Sequence, residues 1–192
     1  VNLKYSLALS ALLTNFDAQP FTMNDTLDIF KKRRSIFTKM FSGEVIENET
    51  IEQLLEAANW APTHKLTQPW RFSVFCGDGL STLADFQSDL YKKVATANGK
   101  FDQVVFEKMK NNPQKCSHVI SIGVNISGKV PEIEETNAVA CAVQNILLAA
   151  SQLGVAGYWG SGGITYFEGA KSFFELEAKD KLMGFLYLGK YD

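Results

Sequence analysis

Between Asn59 and Phe72 the chain reads Asn-Trp-Ala-Pro-Thr-His-Lys-Leu-Thr-Gln-Pro-Trp-Arg-Phe, a polar centre bracketed by Pro62 and Pro69. Thr63 to Gln68 holds one of only two histidines, a lysine, a glutamine and two threonines, with Trp60 and Trp70 on either side. Aromatic faces supply contact area and short polar groups fix orientation, so the mixture suits a flat ligand with polar edges. The same residues would also serve as an ordinary polar connection. A second dense stretch, Lys31-Lys32-Arg33-Arg34-Ser35, reads by itself as a solvated helix end that favours the helix dipole. A third, Gly157 to Gly163, is glycine-rich, but it lacks the Gly-x-Gly-x-x-Gly spacing of a helix-opening dinucleotide fingerprint. Cys76-Gly77-Asp78-Gly79 is turn chemistry; no Gly-Lys-Thr or Gly-Lys-Ser follows to make a phosphate loop.

These residues need elements to position them. Ile51, Leu54, Leu55 and Ala58 recur at helical spacing, with Asn48 or Thr50 as cap and Thr50 and Gln53 spaced as a capping box. Pro62 cannot continue that helix, and Pro69 holds the chain extended before Trp70 to Phe75, which alternates like a strand. Upstream, a helix from Asn24 carries Leu27 and Phe30 inward and runs through Lys31-Lys32 to Arg33-Arg34-Ser35. Leu80 to Ala97 and Phe101 to Met109 read as helices parted by Asn98-Gly99, with Phe101 and Phe106 as core residues. Val119 to Ile126 reads as a strand, preceded by His118 as a surface or satisfied group.

Pro131 to Leu153 is the longest helix, acidic in its first turn and apolar nearly all round later, so it must be buried on more than one side. Either it is the central helix of the domain or it packs on a second subunit. Gly154 then caps it in the left-handed conformation, Val155 to Trp159 forms a strand, Tyr166 to Leu176 a helix, and Leu182 to Leu188 the closing strand. This order implies an α+β fold: a mainly antiparallel central sheet with helices around one long buried helix.

A chain of 192 residues with 46% hydrophobic residues can bury one sizeable core, which favours a single domain over residues 23–192. Residues 1–22 fit no later element. They read as an N-terminal extension; their apolar segment is broken by serines and too short to span a membrane, and it resembles a signal peptide only faintly. A net charge of −2 with scattered basic residues argues against nucleic acid. Three widely spaced cysteines without Cys-x-x-Cys or His-x-His argue against a disulfide framework or a zinc site and point to a reducing compartment. Cys76 and Cys141 read as buried small hydrophobes.

Five pieces agree in order and spacing with one family: Arg33-Arg34-Ser35, Ala61-Pro62-Thr63, Gln68-Pro69-Trp70, Gly157-Tyr158-Trp159-Gly160-Ser161-Gly162, and Gly184 to Gly189. From about Asp25 to Lys190 the chain resembles the nitroreductases, FMN-dependent oxidoreductases, and within them the small single-domain subgroup. The resemblance implies FMN as cofactor, NADH or NADPH as electron donor, and a nitroaromatic, quinone or similar electron-poor acceptor.

It also implies roles for particular residues. Arg33, Arg34 and Ser35 would grip the phosphate and ribityl chain with fork donors and a hydroxyl. Trp159, Gly160, Ser161 and Gly162 would lie on the cofactor, where a backbone N–H near flavin N5 or O4 supports hydride acceptance. Trp60, Thr63, His64 and Lys65 would complete the site, with Lys65 near the N1–O2 edge. No catalytic residue is assigned; His64 is the first candidate for a general acid. The protein would be a cytoplasmic homodimer with shared sites and no metal, its Arg33-Arg34-Ser35 trio from one chain and its His64 loop from the other.

Three departures stand out: Phe37 replaces a lysine often found near the flavin, Gly160 replaces a basic residue in some relatives, and Lys190 is the only basic residue near Asp192. They leave open a flavin-binding or storage protein without turnover, or a module that has lost FMN. A dehalogenase or flavin-fragmenting variant would use the same scaffold.

Overall fold

Strand β2 (His118–Val124) is buried along its entire length, the state of a strand covered on both faces. The structure is a computed structural model that describes residues 23–191; the expected extension at 1–22 lies outside the described residues. β2 pairs with β1 (Trp70–Cys76) on one side and β4 (Lys181–Gly189) on the other, and β4 pairs with β3 (Ala156–Gly160). The sheet order is β1-β2-β4-β3 and every ladder is antiparallel.

Side-chain alternation divides β2 between two cores. Ile120, Ile122 and Val124 face one side with Leu186 and Leu188 of β4. Helix α2 (Asn48–Asn59) and helix α5 (Glu132–Gln152) cover that face through Leu54, Ala58, Val139, Val143 and Ile146, none of them more than 1% exposed. Truncating Leu54 or Ile146 to alanine costs about 2–5 kcal/mol. The other face is aromatic. Helix α3 (Asp78–Ala97), helix α4 (Gln103–Asn111) and two 3₁₀ segments, Gly163–Tyr166 and Glu168–Phe174, close over Val119, Leu182 and Phe185. Phe86 and Phe173 stack there with ring centroids 3.8 Å apart.

Buried acids fix the approach to α5. Glu135 accepts from the Ser127 amide at 3.1 Å and the Ser127 hydroxyl at 2.6 Å. Asp180 accepts from the amides of Ile126 at 2.9 Å and Glu177 at 3.0 Å. Each buried carboxylate thus has partners for its lone pairs and anchors a turn.

Several expectations need correction. Helix α1 (Met23–Lys32) buries no residue; Leu27 is 41% and Phe30 52% exposed, because α1 lies along α5 at the edge of a single chain. Glu47 occupies the cap position of α2 without a side-chain cap bond, so Asn48, Thr50 and Gln53 form no capping box. Cys76 and Cys141 are exposed: Cys76 is the last residue of β1, and Cys141 lies on the outer face of α5. That outer face also carries exposed Ile133, Asn137 and Gln144, so within one chain α5 is buried on one side only. The region read as a helix from Tyr166 to Leu176 is instead the two 3₁₀ segments. Phe101 is 39% exposed, although its ring touches those of Tyr91 and Phe106. The Gly154 cap has the expected positive φ, 66°. His118 is buried and satisfied, its Nδ1 lying 2.9 Å from the Ser117 hydroxyl. Among the described residues no helix is long and apolar enough to cross a membrane.

Candidate functional site

The candidate residues gather in two groups. The first follows β3. After α1 ends at Lys32, Ser35 bridges to Gly157 in parallel fashion and the Ile36 amide donates to the Gly157 carbonyl at 3.2 Å. Ser35 is thereby tied to the start of β3, with Arg33 and Arg34 just ahead of it in the chain. The Arg34 guanidinium turns back on the Arg33 carbonyl at 2.9 Å and on the Lys31 carbonyl. No ion pair from a carboxylate reaches Arg33 or Arg34 among the described residues. Phe37, in place of the expected lysine, packs its ring 4.8 Å from that of Tyr158.

At the far end of β3, Trp159 and Ser161 open into a cavity of about 690 Å³ that Met183, Lys181, Tyr166 and Thr136 also line. That volume is within the range of small-molecule sites. Trp159 is locked by its indole N–H on the Met183 carbonyl, 3.2 Å away. Gly160 and Ser161 turn out of the strand because Gly184 behind them has no side chain. A Cβ at Gly184 would collide with the Gly160 carbonyl oxygen and sit 3.0 Å from Ser161 Cα. Gly162 faces open space.

The second group is the loop after α2. Asn59 Oδ1 accepts from the Trp70 indole at 3.0 Å, which ties the loop's two ends together. Trp60 is 69% exposed with its indole N–H on Glu56. Thr63 Oγ1 accepts from the Gln68 amide at 3.1 Å and lies 3.0 Å from Thr67 Oγ1. Between them the backbone is unusual: Lys65, Leu66 and Gln68 have φ of 50°, 52° and 41°. Each left-handed non-glycine residue costs on the order of 1–3 kcal/mol and persists only when its surroundings over-determine it. Here the surroundings are side-chain tethers. Lys65 Nζ donates to the Lys129 carbonyl at 3.4 Å, and His64 Nδ1 contacts the Glu134 carboxylate in the first turn of α5.

The two groups do not meet within one chain: no hydrogen bond or ion pair joins them among the described residues. They share a border at the N-terminus of α5, where Glu132 pairs with Lys181 on the cavity wall while Glu134 holds His64. Sequence reasoning missed Glu134 and the cavity residues Tyr166, Lys181 and Met183, and it read Gly184 only as the first residue of the closing-strand motif. The acidic first turn of α5 was a visible signal, but nothing local marks which residue it meets.

Titratable groups at the start of β2 and on β4 are held neutral. Burial pushes the Cys116 thiol up to about 12, with nearby Lys115 opposing weakly. Burial raises the Tyr187 hydroxyl and lowers the His118 imidazole. None of these lines the cavity, so they belong to the support and not to the chemistry.

Residues 30–190 match the Nitroreductase family. YdjA of Escherichia coli strain K12, a candidate NAD(P)H nitroreductase, is 31% identical over 167 residues, covering 86% of this chain and 87% of YdjA. Among solved structures, the nitroreductase-like protein from Bacillus cereus superposes with a TM-score of 0.74 at 22% identity, covering 94% of this chain and 89% of its own. The FMN-dependent nitroreductase NfnB from Mycobacterium smegmatis, solved with NADPH, gives 0.66 at 18% identity and 87% coverage of both chains. A match over most of the chain, a 31% identical relative and a shared antiparallel fold agree: this chain belongs to the nitroreductase family.

Proposed function

We propose that the chain is an FMN-dependent oxidoreductase that takes electrons from NADH or NADPH and passes them to a nitroaromatic, quinone or similar electron-poor acceptor. One observation carries this reading: two arginines and a serine, unclaimed by carboxylates among the described residues, run up to the Ser35–Gly157 bridge on the strand whose far end opens into the cavity. Arg33, Arg34 and Ser35 would hold the phosphate, since a dianion is best met by fork donors and a hydroxyl. Trp159, Gly160, Ser161 and Gly162 would lie against the ring edge, where the glycines leave backbone N–H groups unobstructed. FMN, when bound, supplies the two-electron chemistry. The chain's residues bind it, orient it and shield it from water. Three free thiols suit a reducing, cytoplasmic setting, and fractionation of cells should find the protein there. The decisive test is a visible spectrum of the purified protein with FMN, before and after anaerobic NADH. Absorbance near 450 nm that bleaches supports the reading; no bound flavin at all would sink it.

The same proposal includes a homodimer with two shared sites. It rests on the separation of the two residue groups in one chain, on the exposed outer face of α5, and on exposed Leu27 and Phe30 of α1. A second copy would cover these surfaces, and a two-fold interface is the commonest way to do so. In this arrangement the partner's loop brings Trp60, Thr63, His64 and Lys65 to the flavin held by Arg33. Mixing an inactive Arg33 variant with an inactive His64 variant should then restore activity, because a mixed dimer has one unaltered site. No recovery despite demonstrated subunit exchange would mean that both residues serve the same chain's flavin.

A further inference from the structure

The loop from Thr63 to Gln68 bears more strain than a connection needs. Three of its residues are left-handed without being glycine, and Leu66 at its apex is 83% exposed. What holds it is a set of polar tethers, of which His64 to Glu134 is the one that reaches the long central helix. An ion pair whose side chains are 53% and 41% exposed adds little stability. Its consequence lies elsewhere, in the chemistry of the ring. An ionised carboxylate only accepts hydrogen bonds, so the contact requires the proton on Nδ1. Neutral His64 is then fixed as the Nδ1–H tautomer, and Nε2, which has no protein partner among the described residues, is left free.

We propose that Glu134 is a positioning residue for His64: it sets the ring's orientation and its Nδ1 proton, so that Nε2 becomes the loop's proton-holding atom for an oxygen of the electron acceptor. This deepens the oxidoreductase reading and rests on it. In the imidazolium form the Nε2–H passes its proton to a nitro or carbonyl oxygen as the acceptor takes up electrons supplied by NAD(P)H. The Nδ1 proton stays on the ring beside Glu134, and water restores the proton on Nε2. Glu134 itself touches no ligand. Because it stands in the first turn of α5 it also favours the helix dipole, so a structural role must be separated from a positioning role.

Two histidines in the chain make that separation direct. Nitrogen NMR of the ring atoms reads the tautomer of each, and buried His118, bonded to Ser117, serves as the internal reference. In the wild type at neutral pH His64 should carry its proton on Nδ1. In Glu134→Ala it should revert to the Nε2–H form that free imidazole side chains prefer, with His118 unchanged. In Glu134→Gln the amide oxygen still accepts, so the wild-type tautomer should persist. With the FMN-loaded enzyme and a water-soluble quinone, kcat should fall by about 10- to 100-fold in Glu134→Ala, the range for loss of a residue that orients a histidine ligand. Glu134→Gln should retain most of the activity, and His64→Ala should be no worse when Glu134→Ala is added.

An unchanged His64 tautomer in Glu134→Ala overturns the proposal, as does a switched tautomer with wild-type kcat. Failure of the wider reading looks different: a wild type that binds no FMN removes the basis of the proposal whatever the tautomers do. A wild type that binds FMN while the tautomer ignores Glu134 removes the proposal alone.

Discussion

Two parts of the candidate site handle unusual backbone in opposite ways. At the end of β3, Gly160 and Ser161 press on β4 so closely that only a glycine at 184, with φ of 125°, fits behind them. The close approach there costs little, because glycine has no side chain to displace. In the His64 loop the left-handed positions are filled by Lys65, Leu66 and Gln68, and side-chain tethers hold the strain. The difference separates rigidity from poise. A glycine-backed wall has one conformation, whereas a strained loop held by exposed polar contacts can relax when a ligand or a second chain offers better ones.

The sharpest way to break this comparison is Gly184→Ala. A Cβ meeting backbone on both Gly160 and Ser161 has nowhere to go, and strain and overpacking together should cost about 3 kcal/mol. Thermal unfolding should move down by roughly 6–12 °C; an unchanged transition would mean that the wall is softer than its packing implies. Next in size is Arg33→Ala, ahead of the Ser35 bridge to β3. Removing a charge-assisted contact to phosphate should weaken FMN by about 1.5–3 kcal/mol, one to two orders of magnitude, without lowering the melting temperature. A flavin titration identical to wild type would show that the phosphate sits elsewhere.

The loop should answer with the opposite sign. Leu66→Gly removes the side chain from a left-handed position, and the relief exceeds the entropy glycine adds to the unfolded chain, so stability should rise by about 0.5 kcal/mol. Calorimetry that finds a loss instead would mean that Leu66 is covered in solution and that its lost packing outweighs the relieved strain.

The smallest expected effect lies at the start of β2. Burial lowers the His118 pKa below 6.5, so between that lower value and 6.5 the unfolded chain binds the proton more readily than the folded one. Stability is therefore unaffected above pH 6.5 and falls as the pH drops below it, the decline ending once the folded pKa is passed. His118→Gln should flatten this dependence, and denaturant melts at pH 7.5 and 5.5 would measure it.

Much of the fold was legible because local rules and global packing agree. Ile51, Leu54 and Ala58 mark α2 by spacing and are buried as that spacing requires; Pro62 and Pro69 bound the loop; Gly154 ends α5. Leu27 and Phe30 mark α1 equally well, yet both remain exposed. Periodicity reports which residues share a face, not whether anything covers it. The same limit explains Cys141, apolar by sequence neighbourhood and exposed by helix phase.

By itself the sequence determined most of the elements, the antiparallel α+β class, the family and the location of three chemically dense stretches, because propensity, proline and glycine chemistry and motif spacing are all local properties. Tertiary structure alone decided the rest. It tied the Arg33-Arg34-Ser35 trio to β3 through Ser35 and Gly157, placed Gly184 behind Ser161, and brought Glu134 to His64 across 70 positions of chain. Residues that far apart meet only where packing of α2 on α5 fixes both ends of the loop, and no period or motif in one stretch encodes what another will touch.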